Sequence, residues 1–232
     1  MTSLATEAIL APNREVLDAL GRVTVFSALS GRGLQELAPH CELRTHRRHD
    51  RIWDRGDPST EIAVVLSGRL QCSVPGHGGR GWVNAVLRPG GCCGLGALLD
   101  GEPQVCGIEA LETSRVLHVA SDALRAVLEK EPELALHVAR LVTLDLRRAI
   151  VCCAQMALQS PLERLAHYLL ECADSGGTVR LRETQGQIAA QIGTVREVVG
   201  RSFRRLEDDG LLVRRGRTVK ILDRENLARL AR

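Results

Sequence analysis

The amino-acid sequence predicts an α+β chain with a β-rich N-terminal half, one long helix, and a C-terminal winged helix-turn-helix. Three patterns carry that expectation. Between Glu42 and about Val119, short β-prone runs alternate with glycine-rich breaks at roughly ten-residue spacing, which suits an antiparallel sandwich or barrel. From about Pro132 to about Leu158, apolar residues return every three or four positions with no breaker. In the final stretch, two short helical patterns meet at a glycine and an alternating hairpin follows them.

The elements follow in order. Residues 13–40 space Leu and Val at helical intervals and stop near Pro39. The runs "RIWDRGDPS", "IAVVLSGRLQCSV", "WVNAVLRPGG" and "SRVLHV" read as strands, with "PGHGGRG" as a hairpin tip. Helical period resumes at "SDALRAVLEKEP", where Ser121 is the expected N-cap. The long helix begins at Pro132, a residue suited to a first helical turn. Its apolar seam is Ala135, Val138, Val142, Leu146, Ala149, Cys153 and Met156, enough to pair with a second copy of the chain. A helix packed on its own β-domain would show the same seam. Ser160 and Pro161 then open another helix. The expected domains are 1–131, the β-domain with its N-terminal helix; 132–158, the long helix; and 159–232, the winged helix-turn-helix.

Composition narrows the classes. The chain has 232 residues, 44% hydrophobic and 25% charged, enough for one large or two modest cores. No apolar run approaches the roughly 18–20 residues of a membrane span, and the N-terminus lacks a basic region ahead of an apolar core. A cytoplasmic protein without membrane partners is expected. Its eight cysteines are then thiols, mostly small buried hydrophobes, and none forms a CxxC pair. The net charge of +3 is uneven: from Ser160 onward there are 14 Arg and Lys against 10 Asp and Glu.

That basic surplus includes "GTVREVVGRSFRRLEDDGLL". Thr184 caps the helix before it, Gly193 breaks that helix, and Thr194 or Val195 starts the next. At 100° per residue, Val195, Val199, Ser202 and Leu206 share one face. Arg196, Glu197, Gly200, Arg201 and Arg204 gather on the other. Arginine's fork matches the O6/N7 edge of guanine, and a glutamate accepts from cytosine N4. A carboxylate facing phosphates is repelled, so base reading explains Glu197 better than charge attraction does. Gly200 lets the helix approach a partner closely, against a helix cost of about 1 kcal/mol. A solvated charged face with Glu197 and Arg201 paired is the bland reading. The glycine turn before and the hairpin Leu211–Leu222 after argue against it. That hairpin carries an "RRGR" tip, with Arg214, Arg215, Arg217 and Lys220 available to phosphates. Double-stranded DNA is the expected partner.

Across residues 20–225 the chain resembles the Crp/Fnr family of bacterial transcription regulators. The similar stretches are "GDPSTEIAVVLSGRL", "RPGG" with "GALLDGEP", and "IGTVREVVGRSFRRLEDDGLL". The resemblance implies a β-roll (jelly-roll) sensor of the cyclic-nucleotide-binding type, a dimerisation helix, a homodimer, and RNA polymerase as a further partner. R-E-V-V-G-R at 196–201 resembles the Crp-type recognition helix that reads TGTGA-like half-sites. Arg196, Glu197 and Arg201 would then read bases and Gln185 a phosphate. Thr194, Gly200 and Arg204 lie alongside them, and Arg215 and Arg217 lie on the wing.

The sensor departs from the family pattern. Where the family carries a ribose-binding Glu after glycine, Gly94 is followed by Leu95. The phosphate-binding Arg-Ser pair becomes Gln104-Val105, and the purine-facing Thr-Ser pair of the long helix becomes Ala149-Ile150. A cyclic phosphodiester without its arginine is poorly compensated, so cAMP is not expected and no cofactor is predicted. Haem is an alternative ligand in this family, but no histidine spacing selects it. The distinctive feature is Cys93 and Cys106 around the vacated pocket and Cys153 on the helix, candidate thiols for a redox or sulfur-species switch. An enzyme, such as a thiol oxidoreductase with a DNA-binding tail, is the competing class. No CxxC, nucleophile elbow, phosphate loop or HExxH supports it.

Overall fold

In the computed structural model, residues 14–76 and 81–231 are described, so part of the "PGHGGRG" tip lies outside the described residues. The chain forms two compact units, Met1–Cys72 with Val86–Leu146, and Ser73–Ala85 with Arg147–Arg232.

The N-terminal strands are β1 (Cys41–His46), β2 (Arg51–Trp53), β3 (Glu61–Ser67), β4 (Leu70–Pro75), β5 (Gly81–Leu87), β6 (Cys92–Cys93), β7 (Gly107–Ala110) and β8 (Ser114–Ala120). They make two four-stranded sheets, ordered β1-β8-β3-β6 and β2-β7-β4-β5. In the first sheet the two-residue period sorts the core. Ile62 and Val64 of β3 and Leu117 and Val119 of β8 pack against Leu20, Leu37 and Leu124 of the helices. The alternate residues Ala63, Val65, Val116 and His118 are also buried, so this sheet is covered on both faces. That is why β3 reads as a continuous apolar run, without alternation.

The helices of this unit are α1 (Arg14–Arg22), α2 (Gly31–Leu37), α3 (Leu95–Asp100) and α4 (Ser121–Lys130). Two expectations need correction here. The stretch 14–40 is two helices with 3₁₀ turns at Thr24–Phe26 and Ala38–His40, and Ser30 caps the second helix through Gly33 N. The N-cap of α4 is Ala120; Ser121 is its first residue, and its hydroxyl is buried with no hydrogen-bond partner among the described residues.

Helix α5 spans Pro132–Leu158. Its first half does not offer the expected seam to a second copy. Leu134 and Val138 are fully buried in the β-domain core, with Ala135, Leu141 and Val142 packed on it. The second half is different: Leu146, Ile150, Val151 and Leu158 are exposed, as is Leu144 just before it.

The C-terminal unit contains α6 (Pro161–Cys172), β9 (Thr178–Arg180), α7 (Gln185–Gln191), α8 (Arg196–Asp208), β10 (Leu212–Arg215), β11 (Thr218–Ile221) and α9 (Arg224–Leu230). Its sheet runs β10-β11-β9, antiparallel throughout. Leu165, Leu169, Ile188, Val199, Phe203, Leu206, Val219 and Leu227 form one apolar core beneath the helices.

Candidate nucleic-acid interface

The interface is built by two capped helices and the turn between them. Thr184 caps α7 in a capping box: its hydroxyl accepts from Gln187 N while the Gln187 side chain accepts from Thr184 N at 2.8 Å. Gln185 is the first residue of this helix. At Gly193 the backbone takes φ +64°, and a Cβ there would stand 2.5 Å from Met156 Sδ. Both the left-handed backbone and the contact favour glycine. Thr194 N then bonds Ala189 O at 2.8 Å, closing the turn.

Beneath the turn sits a residue that the sequence reading missed. Arg164 of α6 is buried, and its guanidinium hydrogen bonds go to backbone carbonyls. Its Nε donates to Ile192 O at 2.7 Å and its Nη1 to Gln159 O at 2.7 Å, with Met156 O and Gln155 O at 3.3 and 3.4 Å. Its Nη2 donates to Gly193 O at 3.4 Å. These carbonyls lie at the C-terminal end of α5 and at the end of α7 with the turn after it, where the helix dipoles place negative charge. One guanidinium therefore ties the end of the long helix to the turn that aims α8. The available signal was an arginine beside the buried stripe of "RLAHYLL".

Helix α8 divides as its periodicity predicts, with two changes. Val199, Ser202, Phe203 and Leu206 are buried. Val195 is not in that stripe: it is the N-cap, extended and exposed. Phe203, left out of the predicted stripe, is one of the largest fully buried side chains.

Arg196, Glu197, Arg201 and Arg204 are exposed on the opposite side, and Gly200 is partly covered. Among the described residues no ion pair or hydrogen bond engages those four charged side chains, and the pairing of Glu197 with Arg201 is not formed. Their neighbours are committed. Arg205 holds Asp209 at 2.9 Å. Arg214 holds Glu207 at 2.9 Å and stacks on Phe203 at 4.6 Å. That bond and charge keep the Glu207 carboxyl below its ordinary 4.5. Arg214 is thus a structural clamp, and Lys220 donates to Gly176 O at 2.6 Å. Arg215 is exposed at the wing tip, and Arg217 there makes one 3.4 Å bond, to Arg182 O. A Cβ on Gly200 would lie 3.5 Å from Gln185 Oε1, an ordinary contact. The fold itself leaves room for a methyl group at 200.

The sensor residues scatter. Gly94 caps α3 at φ +91°. Leu95 joins the helix-facing core; α3 turns it inward with Leu98 one turn on. Gln104 is buried, its backbone bonded to Asp57 O and Gly56 N. Val105, expected at the same pocket, is 75% exposed. Ala149 and Ile150 lie on the exposed second half of α5.

Cys93 and Cys106 are poorly placed for reactivity. Cys93 is buried, with Sγ 3.5 Å from Ala63 O. A hydrogen bond with Cys72 pulls its pKa down, but burial and the neighbouring Cys92 and Cys106 outweigh it, so the thiol is held up. Cys106 is raised by its bond with Cys72 and then by burial. Reactive thiols need the reverse environment. Cys153 is exposed on α5. Among the described residues no group of three or more His, Cys, Asp or Glu is placed to hold a metal ion, and no helix is long and apolar enough to cross a membrane.

Comparison with known proteins agrees with this geometry. Residues 163–230 match the Crp-like helix-turn-helix domain, and residues 43–131 match the cyclic nucleotide-binding domain. The chain is 24% identical to the CRP-like cAMP-activated global transcriptional regulator of Mycobacterium tuberculosis, over 93% of this chain and 99% of that one. It is 26% identical to the transcriptional activator protein anr of Pseudomonas aeruginosa, over 81% and 80%. Among solved structures, FixK2 from Bradyrhizobium japonicum superposes with a TM-score of 0.73 at 22% identity, covering 83% of this chain and 98% of that one. With both domain models matched in order and regulators as its relatives, the chain belongs to the Crp/Fnr family of DNA-binding transcription regulators.

Proposed function

We propose that the chain acts as a homodimer that reads TGTGA-like palindromes through α8 and answers to a signal other than a cyclic nucleotide. The carrying observation is the contrast on α8. Arg196, Arg201, Arg204 and Glu197 stand exposed and uncommitted, while Arg205 and Arg214 are locked in ion pairs. Arginine forks and one carboxylate held this way suit guanine and cytosine edges in the major groove. Arg215 and Arg217 on the wing suit phosphates. Two half-sites one turn of DNA apart need two recognition helices, and the exposed Leu146 and Ile150 supply an apolar surface for pairing.

The argument against a cyclic nucleotide is chemical. The Mycobacterium tuberculosis relative is cAMP-activated by name. In this chain Leu95 offers the ribose no carboxylate, and Gln104 offers the phosphodiester no charge. Thiols held protonated also weigh against a redox signal at Cys93 and Cys106.

The test is DNA affinity against a TGTGA-type palindrome and its base-substituted variants. Arg196→Ala should lose about 1–3 kcal/mol of discrimination at one base step. Arg217→Ala should weaken every sequence alike and shallow the salt dependence. An unchanged sequence preference in Arg196→Ala would remove α8 from base reading.

A further inference from the structure

The β-roll holds a chain of ionisable groups around one buried histidine that DNA reading does not use. His118 on β8 is 2% exposed. Its Nδ1 lies 2.7 Å from Glu61 Oε1 on β3, and its Nε2 lies 2.9 Å from Nε2 of His46 on β1. Arg44 of β1 extends the chain. Its Nη1 donates to both Glu61 oxygens at 3.1 and 3.2 Å, and its Nη2 donates to Glu42 at 2.7 Å. Asp50, in the turn after β1, adds its charge at His46.

Counting protons limits what this arrangement tolerates. A carboxylate only accepts, so His118 Nδ1 carries the hydrogen toward Glu61. An Nε2–Nε2 contact at 2.9 Å needs one hydrogen between the rings, donated by one and accepted by the other. A neutral pair meets this with His46 as donor. A singly charged pair meets it with either ring as donor. A doubly charged pair sets N–H against N–H and cation against cation, and the contact cannot hold.

We propose that His46 and His118 form a proton-binding site of the sensor unit, through which acidification acts as its signal. The pair stays closed with no charge or one, and it parts on taking a second. His46 ends β1, a strand that among the described residues pairs with β8 at the sheet edge, so parting frees the strand end. Burial, and then the charge on His118, hold His46 below its ordinary 6.5. The folded state therefore binds this proton less readily than the unfolded chain. The stabilisation is present above 6.5 and is lost as pH falls through that value toward the folded pKa. Burial pushes the Glu61 carboxyl up, but the hydrogen bond and charge of His118, with those of Arg44, outweigh it and leave it below its ordinary 4.5. Glu61 thus stays ionised while His46 titrates.

That acid reaches DNA binding by this route rests on the regulator reading above; the proton count does not. Imidazole nitrogen NMR of the full chain from about pH 8 to about pH 5 should show His46 and His118 titrating as a coupled pair. Its second step should fall below the ordinary histidine value. In His46→Gln the coupling between the two rings should be gone. Independent titration of the two rings in the wild type would overturn the site. Palindrome affinity over the same pH range should change at least about threefold more for the wild type than for His46→Gln. Parallel profiles would overturn acid as the signal. If neither protein binds DNA specifically at any pH, the regulator reading fails, and the NMR result still decides the site.

Discussion

At Gly200 stability and function are expected to oppose each other. The glycine costs α8 about 1 kcal/mol relative to alanine, and a Cβ would meet Gln185 only at ordinary contact distance. Gly200→Ala should therefore raise the melting temperature by a few degrees while weakening DNA binding, because the added methyl stands between the arginines that approach the groove. Calorimetry and fluorescence anisotropy check the two halves separately. A variant that is more stable and binds DNA unchanged would show that the glycine serves no close approach. Arg164 makes the opposite case, since its bonds serve both the fold and the aim of α8. Arg164→Met keeps the length of the stem and leaves the carbonyls of Gln159 and Ile192 unpaired. Denaturant unfolding should show a loss of about 2–3 kcal/mol. Specific affinity should fall more than non-specific affinity, because the turn that aims α8 loosens while its arginines remain.

The long helix has two environments along one element. Its first half spends Leu134 and Val138 on the β-domain core. Its second half leaves Leu146 and Ile150 59% and 60% exposed. An apolar stripe in water on a helix of this length suits a twin helix. Leu146→Lys with Ile150→Lys should yield a monomer by light scattering. Its specific DNA affinity should fall at least tenfold, about 1.4 kcal/mol, with little change in the stability of each unit. A wild-type protein that is monomeric at about micromolar concentration would contradict the pairing.

At the scale of the whole molecule, the two matched domains pair a sensor-type module with a DNA-binding module, and the open question is the signal. Calorimetry with cAMP and cGMP should find no binding tighter than about 1 mM. Leu95 lies in a core, and Gln104 is a neutral amide where an arginine would be needed. Micromolar binding of either nucleotide would refute the reading of both positions.

Much of this was legible in local sequence. The glycine turn at 193, the capping residues Thr184 and Ser160, and the split of α8 into apolar and arginine faces depend on neighbours within a few positions. Backbone preference and helical period act at that range, so the linear order determined the fold class and the candidate recognition face. Other features depended on residues far apart in the chain. Which half of α5 is buried was decided by contacts with Leu20, Leu37 and Leu124. Arg164 could be recognised only once the ends of two helices converged on it, and Arg214 only once Glu207 and Phe203 stood beside it. His46 and His118 are 72 residues apart, and their shared hydrogen exists only because β1 pairs with β8. Periodicity records which side chains are apolar. Tertiary packing alone decides which polar groups must satisfy one another once water is excluded.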